Sequence, residues 1–339
     1  MKKPFGQLPD GRQVSLYTIT NGRICAAVTD LGATLVNLWV PDKEGRLADV
    51  VLGFSDAAGY YGRSNADFGT IGRNANRIRG AEFTIGDKLI KLVANDNGNS
   101  LHSKPDGWDQ RLWKVESHTP EAVTFLLHSP DGDQGFPGNA RVQVTFRIEG
   151  AATLAIIYEA VSDAATLFNM TNHTHFNLAG HQHPALAQGQ RLTIPAHCFT
   201  PADASSIPTG EEWHVEGTPM DFRMGKPIGQ DIDADYAPLK LQQGYDHNYV
   251  AVQPFCAVLE DPGSGRKMTM STTAPGFHLY TGNYTRSLVG KEGVIYDKRS
   301  GVCLEPQFFP DAVHNPQWVQ PIFQAGEPYR METAFTFDI

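Results

Sequence analysis

Apolar and polar side chains alternate with a period of two along much of the chain, the mark of strands buried on one face. Val142, Val144, Phe146 and Ile148 alternate with polar residues, a turn falls at 149–151, and 153–161 reads as the return strand. Residues 83–85 and 88–92 flank Gly86-Asp87 and read as a hairpin, glycine supplying the positive φ of a tight turn. A second hairpin is expected from 14–20 and 23–29 around Asn21-Gly22, and a third from 294–296 and 302–304 around Ser300-Gly301. No amphipathic helix of twelve residues or more stands out, no repeat of fixed period suggests a propeller, and no Pro- or Ser-rich linker divides the chain. The expected architecture is all-β and antiparallel, with two large sheets face to face in a single domain over residues 1–339.

Composition narrows the function classes. Of 339 residues, 41% are apolar and 19% charged, which excludes a disordered chain. The formal charge of −9 and the lack of a Lys/Arg block argue against a nucleic-acid surface, which needs a basic patch. Cys25, Cys198, Cys256 and Cys303 are far apart and form no CxxC pair, so buried thiols are expected rather than disulfides. No apolar run reaches the roughly 18 residues of a membrane span, and no signal-type apolar region opens the chain, so a cytoplasmic, non-membrane protein is expected. Loops at 95–109, 130–139 and 199–226 carry the most turn residues and are where binding groups are expected.

Candidate chemistry concentrates in a few segments. In NMTNHTHFNLAG (169–180), alternation puts Asn169, Thr171, His173, His175 and Asn177 on one face, with the imidazoles among amides and a hydroxyl. The bland alternative is a solvated strand face. In GVCLEPQFFPDAVHN (301–315), Glu305 follows an apolar strand, where desolvation would suit a general base; the alternative is a surface carboxylate at a strand end. In GTIGRNANRIRGAEF (69–83) the glycines match no phosphate loop, but an arginine fork at Arg73, Arg77 or Arg79 could donate paired hydrogen bonds to vicinal hydroxyls. His102, and Asp246 beside Tyr245 and Tyr249, are weaker candidates. The pairs His173/His175 and His181/His183 have a spacing that can bind zinc, but no matching carboxylate accompanies them, and no metal is expected.

Taken together, GRNANRI, LHSKPDGW, DGDQGFPG, TNHTHFNL, GYDHNY and LEPQFFPDAVHN occur in the order and rough spacing of landmark segments of the aldose 1-epimerase (galactose mutarotase) family, and the chain resembles that family from Gly69 to Asn315. The resemblance implies a β-supersandwich fold, no cofactor, a small-molecule sugar substrate, and a monomer or homodimer. It assigns the acid to His173 and the base to Glu305. Sugar-binding roles fall on Asn76, Arg77, His102, Asp246 and Gln307. Two departures stand out: His175 where many members have Tyr, which could modulate His173, and Ser103-Lys104 in place of Gly-Gly. An acid and a base suffice to open and reclose a sugar ring, with no redox group or metal. Competing expectations are an epimerase for a related sugar or sugar phosphate, a glycosidase using Asp246 and Glu305, and a sugar-binding module without turnover.

Overall fold

The computed structural model describes residues 1–62 and 68–338. The strand Ala140–Glu149 buries Val142, Val144, Phe146 and Ile148 on one face and turns into Thr153–Ser162, as the alternation predicts. These two strands lie within a nine-stranded antiparallel sheet. The last strand of the chain, Tyr329–Asp338, inserts at its centre between Thr153–Ser162 and Lys267–Thr272. The hairpins Gln13–Thr20/Cys25–Thr29 and Glu82–Ile85/Lys88–Lys91 also form where expected, and Gly86 has φ +58 in the second turn.

A six-stranded sheet runs in the order His175–Phe176, Val302–Gln307, Gly276–Tyr280, Asp246–Val250, Cys198–Thr200, Trp213–His214. It packs on the nine-stranded sheet, with the Phe176 and Phe335 rings 4.9 Å apart. The expected pair of facing sheets is therefore present. A third sheet of five strands, from Lys2–Gln7 to Leu47–Asp49, joins the same core, with Tyr17 meeting Phe125 edge-on at 5.8 Å. One apolar cluster draws side chains from all three sheets. Among the described residues the one α-helix is the six-residue Ala237–Gln242.

The third expected hairpin does not form. Ile295–Tyr296 pairs with Leu288–Val289, while Val302–Gln307 pairs with Gly276–Tyr280 on one edge and His175–Phe176 on the other. All six residues of Val302–Gln307 are buried, and such a strand belongs inside a sheet rather than at the edge of a local hairpin. The thiols also depart in part from expectation. All four are free, but only Cys256 and Cys303 are buried; Cys25 and Cys198 are partly exposed.

One buried ion pair ties the five-stranded sheet to the segment before Val302–Gln307. Lys291 Nζ donates to the Asp49 carboxylate and to the carbonyls of Val36 (2.8 Å) and Val51 (2.6 Å). Asp49 also accepts from Leu38 N (3.0 Å) and Asn37 Nδ2 (2.6 Å). Burial pushes the Lys291 ammonium below its ordinary value, and Asp49 opposes it. Removing one member of such a pair strands the other, so Lys291→Met is expected to cost about 3 kcal/mol of stability. Denaturant melts at pH 7 test this; a loss under about 1 kcal/mol would show that the pair is not what joins these segments.

Candidate active site

Because successive side chains of a strand point to opposite faces, each central strand of the six-stranded sheet supplies the core and a second, polar face in turn. Phe176, Tyr249, Phe277, Leu279, Val302 and Leu304 enter the apolar core. Cross-strand partners share a face, so the register arranges the intervening residues in two rows. One row is Asn248, His278 and Glu305; the other is Asp246, Tyr280, Cys303 and His175. Gln307 stands one step beyond, opposite Gly276. This face is a polar floor that is nonetheless closed to bulk water: Asn248, His278, Cys303, Glu305, Gln307 and His175 are all buried.

His173 reaches the floor from just before its strand. The expected single strand over 169–178 is broken into Thr171–Asn172 and His175–Phe176, but the shared face survives: the His173 and His175 rings stack at 5.2 Å with 28° between their planes. His173 Nε2 lies 3.6 Å from Glu305 Oε1, and its Nδ1 lies 3.5 Å from Cys303 Sγ. Tyr280 presents its ring edge-on to both imidazoles, at 5.9 and 6.0 Å. The solvated-face alternative fails, since Asn169, Thr171, His173, His175 and Asn177 are all buried. Glu305 is 1% exposed, so the surface-carboxylate alternative fails as well.

The strand Arg77–Ile78, paired with Ser100–Leu101, carries the next group of site candidates. Asn76 and His102 both have left-handed φ (+62° and +55°) and clasp each other: His102 N donates to Asn76 O (3.1 Å), and Asn76 N donates to His102 Nδ1 (3.2 Å). A backbone N–H can only donate, so Nδ1 is the acceptor and the neutral His102 ring carries its proton on Nε2. That ring meets His173 edge-on at 5.5 Å. Ser103 also has positive φ (+54°), and its hydroxyl bridges Asn74 N (2.9 Å) and Asn74 O (3.1 Å). Asp96 engages Arg77 Nε at 2.7 Å and so sets the plane of the guanidinium.

Two buried side chains lock this segment to the floor. Asn169 accepts from Phe308 N through Oδ1 (2.9 Å), donates through Nδ2 to Asn74 Oδ1 (3.3 Å), and exchanges backbone bonds with Arg73 and Ala75. Asp311, in the segment after Glu305, accepts from Arg79 N through Oδ1 (2.9 Å), and its own N–H donates to Arg77 O (2.9 Å).

Several sequence expectations need correction. Of the three arginines, Arg73 is fully buried and binds Ser129 Oγ (2.6 Å), Thr166 Oγ1 (3.0 Å) and Pro137 O (2.8 Å), which makes it the anchor of the 130–139 loop. Arg79 is largely exposed and pairs with Asp311 at 3.7 Å. His181 bonds Tyr296 OH at 3.0 Å, away from His173, so the two HxH pairs do not converge. Loop 199–226 supplies structural acceptors, Pro219 O and Met220 O, to Tyr245 and Tyr249.

The sequence reading missed His278, Tyr280, Asn248 and Cys303 as members of the floor. The strand GFHLY alternates apolar with polar residues, and that signal was present. His278 Nε2 bonds Asp246 Oδ1 at 2.6 Å. Burial pushes the Asp246 carboxyl up, but the His278 bond and charge, with help from Arg77, outweigh burial and hold it below its ordinary value. Among the described residues, Asn248 Nδ2 and Oδ1, His278 Nδ1 and both amide atoms of Gln307 are buried with no hydrogen-bond partner. Native interiors rarely leave such groups unsatisfied, so this concentration marks a place built for a polar ligand.

The family model for aldose 1-epimerase matches residues 15–336. The chain belongs to the aldose 1-epimerase family. It is similar to galactose mutarotase of Mus musculus, with 38% identity over 99% of this chain and 97% of that one. It is 32% identical to the aldose 1-epimerase of Escherichia coli K12, over 97% and 96% of the two chains. Among solved structures it is similar to the GalM/aldose epimerase homologue from C. elegans, with TM-score 0.88 and 29% identity over 96% and 99%. Galactose 1-epimerase from Lactobacillus acidophilus gives TM-score 0.87 and 26% identity over 100% and 98%. As an aldose 1-epimerase the chain is an isomerase acting on a sugar, and the all-β sandwich expected of the family is the one observed.

The Asp246–His278 bond has a pH signature. A carboxyl depressed in the folded state adds stability above its unfolded pKa of about 3.9, and that stability is lost as pH falls through the lower folded value. His278→Leu leaves the carboxylate buried with a hydrogen bond unmade, an expected cost of about 2 kcal/mol at pH 6. Parent and variant stabilities should converge as pH falls through the lowered folded value and the carboxyl is protonated. Denaturant midpoints from pH 2 to 7 check this; a difference independent of pH would remove Asp246 as its cause.

Proposed function

We propose that the chain interconverts the α and β anomers of a free aldose such as galactose or glucose, with His173 as general acid and Glu305 as general base. The observation that carries this reading is the 3.6 Å approach of His173 Nε2 to Glu305 Oε1 within the buried polar floor. The two oxygens that must exchange protons, the ring oxygen and the anomeric hydroxyl, sit on one carbon. An acid and a base this close can each address one of them from the same side. Imidazolium protonates the ring oxygen while the carboxylate takes the anomeric proton; the C1–O bond breaks, the carbonyl rotates, and the steps run backwards on the other face. The reaction is symmetric, so both groups are restored at the end of each turnover.

The remaining polar groups fit the hydroxyls of a sugar. Arg77, oriented by Asp96, presents a fork suited to vicinal hydroxyls, with Asn76 and His102 beside it. Asp246 is an acceptor held in its charged form by His278, and Gln307 offers both an amide donor and an acceptor. A glycosidase would need two carboxyl groups free to act on the glycosidic bond, whereas Asp246 is already committed to His278 at 2.6 Å. A sugar phosphate is disfavoured by the carboxylates of Asp96, Asp246 and Glu305 around the site, since like charges repel a phosphate. No helix of the described residues is long and apolar enough to cross a membrane, and a cytoplasmic enzyme is consistent with that.

Polarimetry on freshly dissolved α-galactose and α-glucose is the direct test: the chain should speed the decay of rotation without changing the sugar. Glu305→Gln keeps the shape but removes the base, and kcat should fall at least about 100-fold. Mutarotation near the parent rate in that variant would reject the assignment. Arg77→Ala should leave the chemistry but cost about 1–3 kcal/mol in kcat/KM, since a sugar hydroxyl loses its donor. An unchanged kcat/KM would put the binding site elsewhere.

A further inference from the structure

His175 and Cys303 are directly opposed in an antiparallel pair, so their side chains leave the same face at adjacent points. His173, two residues earlier, folds back over His175, and its Nδ1 comes within 3.5 Å of the Cys303 sulfur. One donor atom from each of the three residues lies within 4.8 Å of the others, and all three residues are buried. Two imidazoles and a thiolate are the donor set preferred by zinc and its chemical neighbours. From this we infer that His173, His175 and Cys303 form an inhibitory binding site for a divalent cation of the zinc class.

The geometry suits a tetrahedral ion. Bonds of about 2.3 Å to sulfur and about 2.0 Å to nitrogen place the donors roughly 3.5 Å apart. The sulfur and the His173 Nδ1 already have that separation, and the His175 donor, within 4.8 Å of the other two, closes on them by turning its ring. Three protein donors leave a fourth position for water. Glu305 completes the arrangement from outside: its Oε1 stands 3.6 Å from His173 Nε2, where a carboxylate orients a metal-bound imidazole through the nitrogen that does not bind the ion. The thiol proton goes to solvent as the sulfur–metal bond forms, and no other bond changes.

Occupancy at Nδ1 has a consequence for turnover. A metallated imidazole keeps Nε2–H as a donor but has no lone pair left to take up a second proton, so it cannot cycle through imidazolium. The cation thus competes with the protonation that the reaction needs. This inhibitory effect rests on the acid role proposed for His173; the binding site itself does not. His175 completes the donor set.

Cobalt titration of the EDTA-stripped protein tests the site without reference to activity. Co²⁺ should give a thiolate charge-transfer band and tetrahedral d–d bands that saturate at one ion per chain and vanish on adding Zn²⁺. Cys303→Ser should lose the charge-transfer band, and His175→Tyr should weaken binding at least about tenfold. Cys198→Ser, which removes the thiol near His214, should leave the spectrum unchanged. Absence of the band, or its survival in Cys303→Ser, would overturn the site. Mutarotation should fall in proportion to occupancy and return with excess EDTA. Cobalt bound through Cys303 with mutarotation unaffected would uphold the site and overturn the acid role of His173.

Discussion

The central strands of the six-stranded sheet are buried on both faces, and the chemistry of the site follows from that constraint. A strand cannot choose where its side chains go; it sends them alternately to either side. With the nine-stranded sheet taking one face, Tyr249, Phe277, Leu279, Val302 and Leu304 of the strands Asp246–Val250, Gly276–Tyr280 and Val302–Gln307 are committed to an apolar core. The residues between are held at fixed spacing on the other face by the same backbone bonds. Catalytic geometry is hard to hold on loops and easy to hold on paired strands, and here Glu305 gets its position from register alone, opposite His278.

What covers the floor is less regular and needs specific fastening. Arg77 and His102 come from a two-residue ladder that would be marginal by itself. Asn169 and Asp311 fasten it to the segments that flank His173 and Glu305, in each case by bonds to backbone groups. Bonds of that kind fix the chain path rather than one side chain. Arg73 does the same for the loop behind, with its charge buried between the Phe136 and Phe168 rings and pushed down to about 10 by burial. A guanidinium can serve there because its planar donors satisfy several acceptors at once.

These relations explain which parts were legible in the sequence. Two of the three expected hairpins were readable, where a short glycine turn directly joins two alternating runs. The partners of Val302–Gln307 were not: a wholly buried strand carries no alternation to mark its neighbours, and both of them lie far away in the chain. The third sheet was invisible for the same reason, since strand content can be read from a sequence more readily than its division into sheets. His173, Glu305, Arg77 and His102 could be named from motif segments. Cys303 could not, because an isolated thiol within an apolar strand looks like core until register shows which face it joins; His278 was legible only as a polar step in the alternation of GFHLY, with nothing in the sequence to say what it would meet. Arg73 and Arg77 look equivalent as residues of one loop; the family resemblance singles out Arg77, and burial shows Arg73 to be an anchor.

Register also sorts the titratable groups into roles. Asp246 and Glu305 are both carboxylates of the polar floor, yet their partners separate them. Asp246 is bound tightly to His278, at 2.6 Å, and its charged form is favoured. A group so committed is a good fixed acceptor and a poor proton carrier, because moving its proton means breaking a short buried bond. Glu305 faces His173 at 3.6 Å, beyond a strong hydrogen bond, so that pair gives up little when an acetal oxygen comes between them. The loose pair is therefore the one suited to exchanging protons with a ligand, and the tight pair to holding the ligand still. Two imidazole–carboxylate pairs on one sheet face thus differ by about one ångström of separation, which the strand register and the broken strand before His175 together set, and the roles proposed for them rest on that difference.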